Sequence, residues 1–325
     1  MKILSRLSLA ILLTLAASFA TAQEFRMLSS WDRNHPLAPV VLNPFMKGVE
    51  AASKGRMKFI VNGPETVAAF EQLQPAVSGV FQFLFTSGAY HFGTTPILML
   101  ADAIHGDPAA IHASGMFEFI DKHYQKFGMK LVSLPVTPEG GYTIILRQPI
   151  GSSGDLSGRK IRATPTYLPV IKMLGGIGVV LAQSDVYTAL EKGTVDGTTT
   201  PILNIIDYRW NEVAKYLLRP SFGTSSYPLL MNRDVWNKLS EADRQIIMTE
   251  GRKVEETWYK EAPRMWAESE KVLLARGVTI TQMGAAQKAK LQTAWEDGMF
   301  ELGATKNAKD VAEMHQIAKS KGLIR

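Results

Sequence analysis

The stretch Asp155–Pro201, DLSGRKIRATPTYLPVIKMLGGIGVVLAQSDVYTALEKGTVDGTTTP, leaves the chain the fewest ways to fold. Lys160–Thr164 is a short extended run carrying Arg162. Pro165 then opens a helix to about Leu174, because the fixed φ of proline suits the first helical turn. Gly175 and Gly176 stop it. Ile177–Ala182 is apolar and β-branched and reads as a buried strand. Ser184 or Asp185 caps a second helix, Val186–Lys192, which ends at Gly193. Such a βαβα unit sets its strands parallel, since a parallel pair needs a crossover. It also puts Arg162 where a strand gives way to its helix, the sheet edge at which α/β proteins bind ligands.

The rest of the chain repeats the alternation. Strands are expected at Phe25–Leu28, Met57–Val61, Phe81–Phe85, Lys130–Leu134, Tyr142–Leu146, Tyr227–Met231 and Val278–Thr281. Helices are expected from His35-Pro36 to Ala52, over Ala68–Ser78, His112–Phe127 and Asn204–Leu217, and from 240 to about Ala275. Ser240 and Asp243 resemble a capping box for the long helix, with Asp in place of Glu or Gln, and Pro263 should kink or break it. Apolar strands alternating with helices predict an α/β protein whose sheets are covered on both faces. Glu139-Gly140-Gly141 reads as a crossover between domains. The division expected is residues 23–139 with 226–265 as the first domain, and 140–225 with 266–325 as the second. A chain that crosses more than once forms a hinge suited to closing on a ligand.

Residues 1–22 read as an address. Lys2 and Arg6 precede an apolar core, Leu7–Ala17, and Ala20-Thr21-Ala22 is a small-x-small cleavage site, so cleavage after Ala22 and export to the periplasm are expected. The apolar run is short for a membrane span. The absence of cysteine excludes a disulfide framework and a cysteine nucleophile. A net charge of +6 without a dense basic run argues against nucleic-acid binding. The 6 histidines form no HExxH or other close metal pair, and there is no G-x-S-x-G, P-loop or G-x-G-x-x-G. Neither an enzyme, a cofactor nor a metal site is expected.

The runs DLSGRKIR and SDVYTALEKGTVDG, at this separation, resemble the solute-binding proteins of TRAP transporters, which carry D-L-x-G-x-K-I-R and E-V-Y-x-A-L-x-x-G-x-V-D-G segments. GPETVAAFEQLQPAVSGVFQFLFTSGAYHFG (Gly63–Gly93) extends the resemblance upstream. It implies the periplasmic-binding-protein fold: two α/β domains with mixed sheets, a central ligand cleft and a long interdomain helix. It implies a receptor that takes a small carboxylate solute and delivers it to the small and large subunits of a TRAP membrane permease. A binding protein for an ABC transporter or a sensor, and an exported two-domain hydrolase or lyase, stay open as alternatives.

Arg162 is the first candidate site residue. A guanidinium is a planar, permanently charged fork that grips a carboxylate with two bonds, and the resemblance gives the arginine of K-I-R that role. Tyr142 falls where many family members have a second arginine, which favours a small monocarboxylate with a ring or apolar part, such as pyroglutamate or an aromatic oxo-acid. Thr200 takes the place of the asparagine in V-D-G-Q-E-N-P. Asp196 is expected to be structural, as Asp-Gly is turn chemistry. Trp31, Phe70, Ser87 and Tyr90 lie in loops after the first three strands and should face the cleft as pocket walls.

Overall fold

A computed structural model describes residues 23–325; the expected leader, 1–22, lies outside the described residues. Eleven strands are β1 Gln23–Ser29, β2 Met57–Asn62, β3 Phe83–Phe85, β4 Met129–Ser133, β5 Tyr142–Leu146, β6 Lys160–Ala163, β7 Ile177–Val180, β8 Gly197–Thr200, β9 Tyr216–Phe222, β10 Leu229–Asn232 and β11 Thr279–Gln282. They form two mixed sheets, in the orders β2-β1-β3-β10-β4 and β11-β9-β5-β8-β6-β7. In the first, β1 runs parallel to β2 and β3, while β10 returns antiparallel between β3 and β4. In the second, β6 is parallel to β7 and β8, as the βαβα unit requires. The two-domain α/β fold expected from the sequence, long helix included, is the one observed.

Apolar strand residues set the core. Phe25, Met27, Phe83 and Phe85 are fully or almost fully buried, and Trp258 of the long helix Glu241–Ala275 packs with them. Ser240 caps that helix by accepting a hydrogen bond from the Asp243 amide at 3.1 Å. The helix continues through Pro263 with no break. Pro263 lies on the exposed face of the helix. Trp258 and Ala262, buried beside it, hold the helix on the core. The helix packs mainly on the first sheet's elements and also on helix Ile202–Asp207 and, through Glu270, on Arg219 of β9.

Several expectations need correction. Ile177–Ala182 is not a buried strand: β7 is the edge of the second sheet, with Ile177 55% and Val180 47% exposed. An apolar β-branched run has the same composition at an edge as at a centre. Asn204–Leu217 is not one helix. It is the short helix Ile202–Asp207, a break where Arg209 takes φ +58°, and then β9, placed by pairing with β5 and β11. Ala68–Ser78 is split between a 3-10 turn, Ala69–Glu71, and helix Leu73–Val77. His112–Phe127 is broken at Gly115, whose φ of +80° opens a new helix, Met116–Gln125.

The last helix, Ala285–Ser320, leaves helical geometry at Asn307. Before the kink it packs on helix Leu168–Met173 of the second-sheet side. Beyond it, Asp310 pairs with His123 at 3.0 Å and Lys126 at 3.3 Å, and Arg325 reaches Glu139 at 2.6 Å, so the tail lies against the first-sheet side.

Candidate functional site

Between the sheets lies a narrow cavity of about 30 Å³. Its walls come from the carboxyl ends of β1, β3, β6 and β8, where strands give way to loops, and from the amino ends of the antiparallel strands β5 and β10. The loop after β1 supplies Trp31, held by Ser29, whose Oγ donates to the Trp31 carbonyl at 2.7 Å. Ser30 donates to Gln72 Oε1 at 2.7 Å and Gln72 Nε2 donates back to the Ser29 carbonyl at 3.0 Å, fixing that loop to the next. The loop after β3 supplies Ser87 and Tyr90. A Cβ on Gly88 would collide with the Leu98–Met99 peptide, so only glycine lets this loop press on the turn Met99–Ala103. From the second sheet come Tyr142, Arg162, Thr164, Tyr167 and Thr200.

Arg162 is 2% exposed. Its Nε and Nη2 donate to the Leu181 carbonyl at 3.0 and 2.8 Å, and Nη1 lies 3.4 Å from the Thr199 carbonyl. A guanidinium has five N–H groups; beyond the three on carbonyls, the Tyr90 hydroxyl is also within its reach, and an incoming anion would share or displace that contact. Among the described residues no carboxylate forms an ion pair with it; Asp185 acts only at longer range. Burial pulls the guanidinium below its ordinary pKa, while the Tyr90 and Tyr167 hydroxyls oppose the shift. A buried cation whose partners are carbonyls and a tyrosine hydroxyl is costly without an anion.

Aromatic side chains make the walls. Trp31 meets Phe85 and Tyr227 edge-on at 4.9 and 5.7 Å and stacks on His35 at 5.1 Å. Burial lowers His35 to about 3, against the opposing influence of Asp32 and Asn204, so its ring is neutral at neutral pH. Across the cavity Tyr142 and Tyr167 meet edge-on at 4.9 Å. Gln183 Nε2, on the same wall, is buried with no hydrogen-bond partner.

The structure brings Arg162, Trp31, Ser87, Tyr90, Tyr142 and Thr200 to one cavity. Phe70 stays outside that lining, 38% exposed and edge-on to Tyr90 at 4.8 Å. Several hydroxyls are already engaged. Ser87 Oγ accepts from the Ala89 amide at 3.3 Å, and Thr200 Oγ1 accepts from Asn204 Nδ2 at 3.1 Å. Tyr142 donates to Asp102 at 2.8 Å, so the ring and not the hydroxyl faces the cavity. Asp196 accepts from the Lys160 amide at 2.8 Å and joins two strands.

Sequence reasoning missed Tyr167, Asn204, Tyr227 and Asp102. Tyr167 could have been found, since it follows Arg162 in the same strand-to-helix turn. Asp102, in the run MLADAI, carries no such signal. It is 1% exposed and accepts from Tyr142, from the Ser226 amide at 2.8 Å and from Ser226 Oγ at 2.6 Å. Burial pushes its carboxyl up to about 7 despite these three donors. Tyr208 donates to Asp32 at 2.8 Å, joining the segment after helix Ile202–Asp207 to the loop after β1.

Among the described residues no helix is long and apolar enough to cross a membrane, and no group of three His, Cys, Asp or Glu could hold a metal. A solute-binding protein of Roseobacter denitrificans is 30% identical over 158 residues, 48% of this chain and 49% of that protein. This chain thus spans about half the length of that relative. The monocarboxylate 2-oxoacid-binding periplasmic protein of a Nostoc species is 25% identical over 304 residues, 87% of this chain and 80% of the other. The crystal structure of a TRAP periplasmic solute binding protein from Desulfovibrio salexigens, with bound orotic acid, superposes with a TM-score of 0.81. It is 20% identical and covers 92% of this chain and 98% of that one, a likeness of fold. Residues 28–301 match the model of the bacterial extracellular solute-binding proteins, family 7. The chain belongs to that family, the solute receptors of TRAP transporters, which bind their solutes and do not transform them.

Proposed function

We propose that this receptor captures a small monocarboxylate, clamps it on Arg162 between two closing lobes, and delivers it to a TRAP-type membrane permease. The observation that carries the reading is the buried guanidinium with two N–H groups not used by carbonyls and no carboxylate partner among the described residues, in a cavity shared by both sheets. A carboxylate would supply the missing charge and accept both bonds. The remaining walls are mainly Trp31, Tyr90, Tyr142, Tyr167 and Tyr227, which suit a ring or apolar body. No second cation lines the cavity among the described residues, so a monoanion is favoured. The bound 2-oxoacids and orotic acid of its relatives are of this kind.

The lobes in this reading are residues 23–139 with 226–265, and 140–225 with 266 onward, the segment after Asn307 clasping the first lobe. Binding stabilises the closed arrangement through contacts with both lobes, a shift of population. Residues 1–22 would direct export to the periplasm, with cleavage after Ala22. The test is a thermal-shift screen of the mature protein against organic acids, with Arg162→Ala alongside. A saturating acid at 100 times Kd adds ~2.7 kcal/mol to stability. A stabilising monocarboxylate whose effect vanishes in Arg162→Ala is the expected result. Stabilisation that survives the substitution would move the anchor elsewhere.

A further inference from the structure

The turn Met99–Ala103 places Asp102 directly behind the cavity wall opposite the loops of the first strands. Its carboxylate receives Tyr142 Oη, the Ser226 amide and Ser226 Oγ. Its own carbonyl receives Thr224 Oγ1 at 2.7 Å and Trp295 Nε1 at 2.9 Å. Every one of these donors is neutral, and among the described residues no lysine, arginine or histidine forms an ion pair with Asp102. Tyr142 and Ser226 line the cavity, so the carboxylate lies one side chain away from the solute. Its charge acts on Tyr142, Tyr167 and Tyr227, the aromatic walls. The cavity thus has a positive end at Arg162 and, once Asp102 is ionised, a negative group behind the tyrosine wall.

We infer that Asp102 is a specificity-determining residue that rejects solutes with a second carboxylate, because its buried charge repels an anion at the far end of a solute anchored on Arg162. The inference rests on the reading of Arg162 as anchor and adds the device that restricts the site to monoanions. The three neutral donors hold the carboxylate in place and spread its charge without cancelling it. At an effective dielectric of about 20, unit charges about 8–10 Å apart alter binding by roughly 20- to 30-fold.

Crotonate and fumarate are rigid acids of similar shape that differ in whether the far end is a methyl or a carboxylate. Titration calorimetry at about pH 8 would give the ratio of their affinities for the wild-type protein, Asp102→Asn and Trp295→Phe. The wild type should prefer crotonate. Asp102→Asn should bring fumarate closer by roughly 20-fold, with crotonate little changed. Trp295→Phe loses a donor to the Asp102 backbone and keeps the charge, so its ratio should match the wild type. An unchanged ratio in Asp102→Asn overturns the inference, as does an equal change in Trp295→Phe. If Asp102→Asn does not fold, the wild-type ratio at about pH 6 and about pH 8.5 decides. Arg162 stays charged across that range, His35 neutral, and Tyr142, Tyr167 and Tyr227 protonated, so Asp102 is the wall group that titrates. Discrimination against fumarate should grow with pH; a flat ratio overturns the inference. Absence of binding by both acids, or binding that survives Arg162→Ala, overturns the anchor reading and this inference with it.

Discussion

Replacing Arg162 by lysine separates the charge of the anchor from its shape. The guanidinium spends three of its five N–H groups on the carbonyls of Leu181 and Thr199, and the other two are open to the solute or to the Tyr90 hydroxyl it would displace. An ammonium has three donors and no fork. It can hold one carbonyl and one carboxylate oxygen, with the second oxygen left unpaired. A charge-assisted hydrogen bond is worth about 1.5–3 kcal/mol, so Arg162→Lys should weaken binding of the solute by roughly 10- to 150-fold. Arg162→Ala leaves a carboxylate in an apolar site with no counter-charge. Breaking such a buried pair costs about 3–5 kcal/mol, or roughly 150- to 4,000-fold in Kd. Unliganded stability should change little. The carbonyls lose their donors, but a buried unpaired charge is relieved. Titration calorimetry of the three proteins with the acid found by screening gives the affinities, and circular dichroism melts check the fold. Binding to Arg162→Ala within about threefold of wild type would refute the clamp. Equal losses for lysine and alanine would refute the argument from the fork.

Tyr208→Phe removes the bond to Asp32 across the cleft; about 0.5–1.5 kcal/mol of closure is lost, so Kd should rise roughly 2- to 10-fold, with the fold unchanged in a circular dichroism spectrum. Tyr142→Phe strips one of the donors from the buried Asp102 carboxylate and should lower stability by about 1–2 kcal/mol in urea unfolding; an unchanged midpoint counts against the node. Asp102 binds its proton more tightly folded, near pH 7, than unfolded, near pH 4. Folded protein therefore holds the extra proton in that window, and this group's contribution to stability falls as pH rises through it. Asp102→Asn should gain on the wild type by about 1.4 kcal/mol per pH unit between about pH 4 and about pH 7. Urea titrations at stepped pH test this, and parallel curves for the two proteins contradict it.

The sequence made the parallel core and the placement of Arg162 at the cavity legible for one reason. From Lys160 to Gly193, apolar runs, glycine stops and proline starts all point to the same alternation of strand and helix. Arg162 followed because a cation at such a strand end has few roles. The edge position of β7 was hidden, since nothing in IGVV distinguishes a covered face from an open one. Strand β9 was hidden because its pairing with β5 and β11 comes from remote segments and overrides a helix-like local pattern. The engagement of Tyr142 was hidden for a similar reason. A tyrosine hydroxyl is free or taken according to its neighbours in space, and Asp102 is 40 residues away in the chain.

The kink at Asn307 has a practical use. The segment before it packs on helix Leu168–Met173 and, through Trp295 and Gly303, on the turn Met99–Ala103 as well, while the segment after it lies against the first-sheet side, so this helix ties the two halves together. The chain contains no cysteine, so a single one introduced on an exposed residue beyond the kink, such as Glu313, would take a fluorophore at that site alone. With a second dye on the other half, the receptor would become an optical gauge for its own solute, read far from the binding cavity and without touching it.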